Sequence, residues 1–291
     1  MVTPNAQTRV VGIMGDPVAH SLSPRMLNAA FQALGFNWCY VAFRVPAGAL
    51  AQGVRGLAAL GFAGVNVTVP HKEAAAGLVD ELDPLSQRIG AINTIRVAGG
   101  RLQGFNTDAP GLLDALTKDG GMSVTGRRCL LIGAGGGGRA AAFALAGAGT
   151  SHLTILNRTV SRARGLAEMV SRDYPQCHCD PGDLTLGTVG RSVENADVVI
   201  QATTATMSAA MGGSGGREDW LTTLERGMRP GMVVLDMVYT PKWTDLLNAG
   251  RAAGATVVSG VSMLLYQGAR SFELWTGTPA PLDVMRRALE S

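Results

Sequence analysis

Cysteine is scarce in this chain, with only Cys39, Cys129, Cys177 and Cys179 among 291 residues. So few at this length exclude a disulfide-held scaffold and fit a reduced, cytoplasmic chain. Charge is sparse too, at 16% of residues, and the net value is +3. That is too little for a polybasic nucleic-acid binder or for a membrane-surface patch. No run of about 18 apolar residues occurs, so no segment is expected to span a membrane. The first nine residues are polar and lack the apolar stretch of a signal peptide. Cys177-His178-Cys179 is spaced more tightly than zinc-ligand pairs and no second pair follows it. These are read as ordinary strand or loop residues, and no metal is expected.

Glycine, by contrast, is abundant. Its 39 copies are scattered without a period, which excludes collagen-like and low-complexity chains. At 46% hydrophobic over 291 residues there is apolar material for two ordinary cores, and two domains are expected.

From residue 9 short apolar runs alternate with helical stretches. Strands are predicted at 9–15, 38–43 and 64–69, with helices at 24–35 and 46–60. Segments 93–97 and 102–105 flank Ala98-Gly99-Gly100 and predict a hairpin. A helix opened by Thr107 runs to about 118. Beyond Gly120-Gly121 the series becomes more regular. Strands are predicted at 128–132, 152–157, 196–202 and 232–237, helices at 137–148 and 159–172, and a flexible loop at 208–216. Such alternation implies right-handed crossovers and a mainly parallel sheet, an α/β fold. Helices at 261–275 and 282–290 close the chain.

Gly133-Ala134-Gly135-Gly136-Gly137-Gly138 lies between a predicted strand and a predicted helix. Gly133, Gly135 and Gly138 have the spacing of a dinucleotide fingerprint, in which bare backbone lets a pyrophosphate approach a helix N-terminus. A lone match of this kind is weak, but the flanking strand and helix strengthen it. The next strand ends at Asn157-Arg158-Thr159, with Arg162 and Arg164 beyond. An NAD site would place an acid there for the ribose 2′-hydroxyl. Guanidinium and hydroxyl groups suit a 2′-phosphate instead, so NADP is the expected cofactor. Arg164 alone would read equally well as a solvated surface residue.

Three polar segments stand out in the first half. In His20-Ser21-Leu22-Ser23-Pro24, Ser23 is the expected helix cap with proline behind it. Ser21 is left over, and two hydroxyls at a helix start can hold a carboxylate. Asn66-Val67-Thr68-Val69-Pro70-His71-Lys72 ends a strand with polar residues on one face. In Asn106-Thr107-Asp108, Thr107 can cap a helix and Asp108 suits its dipole. Each is ordinary alone.

Together with Gly15-Asp16-Pro17-Val18-Ala19-His20, Ala91-Ile92-Asn93-Thr94, the glycine turn, Asn157-Arg158-Thr159, Asp236-Met237-Val238-Tyr239 and Met263-Leu264-Leu265-Tyr266-Gln267-Gly268, these segments resemble the shikimate dehydrogenase family. The resemblance runs along nearly the whole chain. It implies an N-terminal α/β substrate domain formed by residues 1–107 plus 260–291, and a Rossmann-type NADP-binding domain at 108–259 with a mainly parallel sheet. The domains are expected to face each other across a cleft. Lys72 and Asp108 are implied as the catalytic pair. Ser21, Ser23, Thr68, Asn93, Tyr239 and Gln267 are implied to line the substrate site with Asp108. The cofactor site would take Gly133, Ala134, Gly135, Gly136, Gly137, Gly138, Asn157, Arg158, Thr159, Arg162, Ala202, Thr203, Met237 and Gly260.

The implied activity is reversible NADPH-dependent reduction of 3-dehydroshikimate to shikimate, on the route to chorismate and the aromatic amino acids. Partners are then a small-molecule substrate, neither nucleic acid nor membrane, and the chain a monomer or homodimer in the cytoplasm. Two rivals share the scaffold: a quinate or aminoshikimate dehydrogenase, and a non-catalytic NADP or metabolite sensor. The Lys72 and Asp108 pair argues against the sensor, which could lose either residue. The chain departs from the family in having Gln201-Ala202-Thr203-Thr204 for an Asn-Ala-Thr segment. Thr206 replaces an expected glycine, and Ser262 stands where glycine is common.

Overall fold

The computed structural model describes residues 4–207 and 219–290, so the loop expected at 208–216 lies outside the described residues. The chain divides into two compact units, Met1–Gly111 with Leu264–Ser291, and Leu112–Met263. Among the described residues no helix is long and apolar enough to cross a membrane.

The first unit opens with β1 (Arg9–Gly15), α1 (Ser23–Ala33), β2 (Trp38–Arg44), α2 (Leu50–Ala59), β3 (Gly64–Val67) and α3 (Lys72–Ala76). It continues with β4 (Glu81–Leu82), α4 (Pro84–Ile89), β5 (Thr94–Ala98), β6 (Arg101–Phe105) and α5 (Asp108–Asp114). The strands form one sheet in the order β2-β1-β3-β5-β6-β4. Helical crossovers make β1 parallel to β2 and β3, whereas β5 runs antiparallel to β3 and β6. The β5–β6 turn holds only Gly99 and Gly100, both at positive φ (58° and 77°), the combination a two-residue primed hairpin turn requires. Val54, Leu57, Val65, Ile92 and Ile95 are almost wholly buried in one core cluster, which is why the central strands read as apolar runs.

Two helix starts differ from expectation. Ser23 is not the cap of α1 but its first residue, and Leu22 stands at the cap without a side-chain bond. The hydroxyl of Ser21 instead accepts from the Ser23 amide at 3.3 Å. At α5 the Ala109 amide donates to Asn106 Oδ1 at 3.1 Å. Thr107, the expected cap, turns its hydroxyl into a buried network, because more partners await it there. The helix predicted from Thr107 to about 118 is real in extent, but its last turn, Ala115–Asp119, is a π-helix.

The second unit runs β7 (Arg128–Ile132), α6 (Gly136–Gly147), β8 (His152–Leu156), α7 (Val160–Asp173), β9 (His178–Gly182) and α8 (Leu186–Glu194). It then runs β10 (Val198–Gln201), α9 (Asp219–Arg226), β11 (Val233–Asp236), α10 (Asp245–Ala252) and β12 (Thr256–Ser259). The sheet order is β12-β11-β10-β7-β8-β9, and every pairing is parallel. This is the Rossmann order, with its switch of direction between β7 and β10, outside whose carboxyl ends such folds bind ligands.

The chain ends with α11 (Gly260–Thr276) and α12 (Leu282–Glu290), of which the residues from Leu264 onward belong to the first unit. Phe272 stacks on Phe31 with ring centroids 5.2 Å apart, and the Trp275 indole donates to the Ile95 carbonyl at 3.0 Å. The Arg25 guanidinium on α1 donates to the Ala288 carbonyl on α12. An aromatic core and two backbone-directed bonds thus bind these helices to the first unit.

Candidate active site

Lys72 is set by the turn that follows β3. The His71 amide donates to the Thr68 carbonyl at 2.9 Å, and the buried His71 ring lies 2.6 Å from the Val45 carbonyl oxygen. α3 then starts at Lys72 itself. Its ammonium donates to Asp108 Oδ2 at 2.6 Å, with 17% of the lysine side chain and 5% of the aspartate side chain exposed. Little water reaches this pair, so its attraction is weakly screened.

The other Asp108 oxygen, Oδ1, accepts from Asn93 Nδ2 at 2.9 Å. The same amide donates to the Thr107 hydroxyl at 2.9 Å and to Gln267 Oε1 at 3.2 Å. Asn93 Oδ1 in turn accepts from the Thr107 amide at 2.7 Å. Gln267 reaches this group because α5 and α11 lie very close where Gly111 faces it. A Cβ on Gly111 would stand 2.8 Å from the Gln267 amide nitrogen.

Of the residues expected at the substrate, the structure therefore joins Lys72, Asp108, Asn93 and Gln267 in one hydrogen-bonded set. Thr68 lies at the end of β3, its amide bonded to the Met14 carbonyl at 2.9 Å. Ser21 and Ser23 lie at the start of α1. Tyr239 belongs to the second unit, on the segment after β11.

The structure also shows a supporting group the polar motifs did not single out. Asn66 Nδ2 donates to Ser271 Oγ at 2.9 Å and to Thr94 Oγ1 at 3.0 Å, and the Tyr40 hydroxyl donates to Asn66 Oδ1 at 2.7 Å. Ser271 lies 2.9 Å from Thr94 Oγ1 and 3.2 Å from Thr107 Oγ1. All are buried. The available signal was polar residues spaced within otherwise apolar segments, Ser271 in α11 above all.

In the second unit the glycine turn is shaped by contact. Gly133 has φ +113°, and a Cβ on it would stand 2.9 Å from Thr203 Cγ2 and 3.0 Å from the Ala202 carbonyl oxygen. A Cβ on Gly138 would lie 2.1 Å from the Gly133 carbonyl oxygen. Gly135, by contrast, caps α6 with nothing within 4 Å of its absent Cβ. An open, side-chain-free helix N-terminus is what a pyrophosphate needs, so these residues fit a dinucleotide. Asn157 Oδ1 accepts from the Ala134 amide at 3.2 Å, tying the end of β8 to the turn. Arg158, Thr159 and Arg162 are exposed beside it, and no carboxylate occupies residues 157–159. Met237 Sδ is 3.4 Å from the Cβ position of Gly137. Gly260 packs on the Met237 and Val238 carbonyl oxygens, 2.6 and 2.5 Å from its Cβ position.

Asp236 is fully buried at the end of β11. Burial pushes its carboxyl up from the ordinary 3.8 to about 6, opposed by hydrogen bonds from the Val238 amide, Thr244, Thr206 and Gln201.

A Rossmann-type unit with a pyrophosphate turn, beside a separate α/β unit carrying a half-hidden lysine–carboxylate pair, defines a dinucleotide-dependent dehydrogenase. Residues 13–95 match the family described as the shikimate dehydrogenase substrate binding domain. Residues 115–211 match shikimate / quinate 5-dehydrogenase, and residues 260–290 the shikimate 5′-dehydrogenase C-terminal domain. The chain belongs to the shikimate dehydrogenase family.

It is 45% identical to the shikimate dehydrogenase (NADP(+)) of Methanopyrus kandleri, over 99% of this chain and 97% of that one. A crystal structure of a shikimate dehydrogenase in complex with NADP+ superposes with a TM-score of 0.89 at 36% identity, covering 99% of this chain and 96% of that one. The Thermus thermophilus shikimate 5-dehydrogenase in complex with NADP(H) and shikimate gives 0.82 at 37% identity, covering 97% and 98%.

Proposed function

We propose that this chain interconverts shikimate and 3-dehydroshikimate with NADP, using Lys72 as the general acid and base. The observation that carries the assignment is the Lys72–Asp108 contact of 2.6 Å, anchored through Asn93 to Gln267, in a chain of this family.

Bound NADPH supplies the hydride that reduces the ketone carbon. The residues of the first unit handle the proton. As negative charge grows on the ketone oxygen, the Lys72 ammonium stabilises it and donates a proton to it. In the reverse direction the neutral amine takes the hydroxyl proton back. Asp108 orients the ammonium through Oδ2 and is itself held through Oδ1 by Asn93. Asn93 Nδ2 has two hydrogens and three acceptors, so its longest bond, to Gln267, is the one a ring hydroxyl replaces. Gln267 and Thr68 take further ring hydroxyls, and Ser21, Ser23 and Tyr239 hold the carboxylate. A site built on such groups rejects analogues that lack the hydroxyls, since buried polar atoms would be left unpaired.

On the cofactor side, Gly133 to Gly138 receive the pyrophosphate, and Asn157, Arg158, Thr159 and Arg162 receive the 2′-phosphate. Ala202, Thr203, Met237 and Gly260 border the turn. As part of the same reading the enzyme works in the cytoplasm as a monomer or homodimer, where its four free cysteines stay reduced.

The test follows NADPH absorbance while shikimate and quinate are crossed with NADP and NAD. Reduction of NADP by shikimate is expected to dominate. Lys72→Ala should lower kcat by roughly 10²–10⁴-fold while NADP binding persists. Turnover mainly with quinate or NAD would overturn the substrate or cofactor assignment. NADP binding without turnover of either acid would replace the enzyme with a sensor.

A further inference from the structure

The carboxyl ends of β10 and β11 carry a buried polar cluster that the proton chemistry does not use. Gln201, the last residue of β10, and Asp236, the last residue of β11, are both wholly inaccessible to solvent. Gln201 Nε2 donates to Thr206 Oγ1 at 2.9 Å, to the Thr203 carbonyl at 3.1 Å and to Asp236 Oδ1 at 3.4 Å. Its Oε1 accepts from the Thr203 amide at 2.6 Å. The Thr206 hydroxyl also bonds the Asp236 carboxylate. Asp236 gathers the following segment as well: Oδ1 accepts from the Val238 amide at 3.0 Å and Oδ2 from the Thr244 hydroxyl at 2.8 Å.

One carboxylate thus fastens two loops, residues 202–206 after β10 and residues 237–244 after β11. Both press on the glycine turn: Thr203 Cγ2 faces the Cβ position of Gly133 at 2.9 Å, and Met237 Sδ faces that of Gly137 at 3.4 Å. With no Cβ on either glycine, nothing in the turn itself holds those side chains back, so the cluster behind them must set their distance. Thr206 is the outermost member and the sole hydroxyl in it from the first loop that meets both Gln201 and Asp236.

We infer that Thr206, through Gln201 and Asp236, is a positioning residue for the dinucleotide: it latches the two loops so that Thr203 and Met237 wall the pyrophosphate turn at a fixed spacing. This rests on the reading of the second unit as the NADP site.

The test compares full-length wild type, Thr206→Val, Thr206→Ala and Thr206→Ser. NADP affinity is measured by titration calorimetry, shikimate affinity separately, and KM and kcat for each. Losing the hydroxyl without changing the loop's bulk should weaken NADP binding and raise its KM by roughly three- to tenfold. Shikimate affinity should stay within about twofold, and Thr206→Ser should restore NADP binding to near wild type. Thr206→Ala, which introduces no methyl against Gln201, is the second chain should the valine variant not fold, with the same result expected. Wild-type NADP affinity in the valine and alanine variants, or equal loss in the serine variant, overturns the latch. Failure of wild type itself to bind NADP overturns the cofactor reading beneath it, a separate and distinguishable result.

Discussion

At the scale of single residues, two buried carboxylates behave in opposite ways. Asp108 meets an ammonium, whereas Asp236 meets only neutral donors: the Val238 amide, Thr244, Thr206 and Gln201. Four neutral bonds offset part of the cost of burying a charge but do not remove it, so the carboxyl rises from 3.8 to about 6. The folded chain therefore holds this proton more tightly than the unfolded chain. The stability it contributes is fully present below about pH 3.8 and is lost as pH rises through about 6. At 1.36 kcal/mol per pKa unit the loss is about 3 kcal/mol. Unfolding in urea from pH 4 to 7 should show wild type falling by that amount relative to Asp236→Asn. Parallel pH curves for the two chains would mean that Asp236 is not perturbed by its burial.

At the scale of elements, the β7–turn–α6 unit makes the sharpest forecast, because its glycines have different neighbours. A methyl on Gly135 meets nothing within 4 Å, and the residue has an ordinary φ of −85°. Gly135→Ala should change the unfolding free energy by less than about 1 kcal/mol. It should nevertheless weaken NADP binding by an order of magnitude or more, since the methyl occupies the pyrophosphate approach. A methyl on Gly138 would collide with the Gly133 carbonyl oxygen at 2.1 Å, so Gly138→Ala should cost about 1–3 kcal/mol of stability as well as binding. Thermal melts beside NADP titrations separate the two cases. Equal stability loss in both variants would remove the assigned distinction.

The same unit was legible in the sequence because strand, turn and helix carry local and mutually consistent signals. Elements that depend on partners were not. β9 reads His-Cys-Asp-Pro-Gly and has no apolar alternation; it is a strand because β8 offers it a free edge. α8 contains Gly187 and Gly190 and is held by burial of Val189 and Val193. The caps at Ser23 and Thr107 failed for a related reason, since a hydroxyl bonds to whichever partner the tertiary structure presents. Lys72, Asp108, Asn93 and Gln267 lie far apart in sequence, and no spacing rule joins them. Their grouping was legible through family resemblance, and the physical cause, α11 packing closely on Gly111, emerged with the fold. The departures Gln201 and Thr206 looked disruptive singly; in the structure each supplies the other's hydrogen-bond partner.

At the scale of the whole molecule, the two units give the ligands separate thermodynamic addresses. A ligand that binds only the folded state at a hundred times its Kd stabilises it by about 2.7 kcal/mol. For units of this size that is roughly 5–10 °C in Tm. NADP should slow amide exchange chiefly within Leu112–Met263, and shikimate chiefly within Met1–Gly111 and Leu264–Ser291. NAD at the same concentration should stabilise less than NADP. The β8 end offers Asn157, Arg158 and Thr159 in place of a carboxylate, so it gains nothing from a free 2′-hydroxyl and gains ion pairs with a 2′-phosphate. That advantage should shrink as salt is raised, because Arg158 and Arg162 are exposed. Equal protection by NAD and NADP at every ionic strength would show that these arginines face solvent and nothing else. Protection by NADP alone, with shikimate leaving the first unit's amides untouched, would instead deny the Lys72–Asp108 pair its substrate.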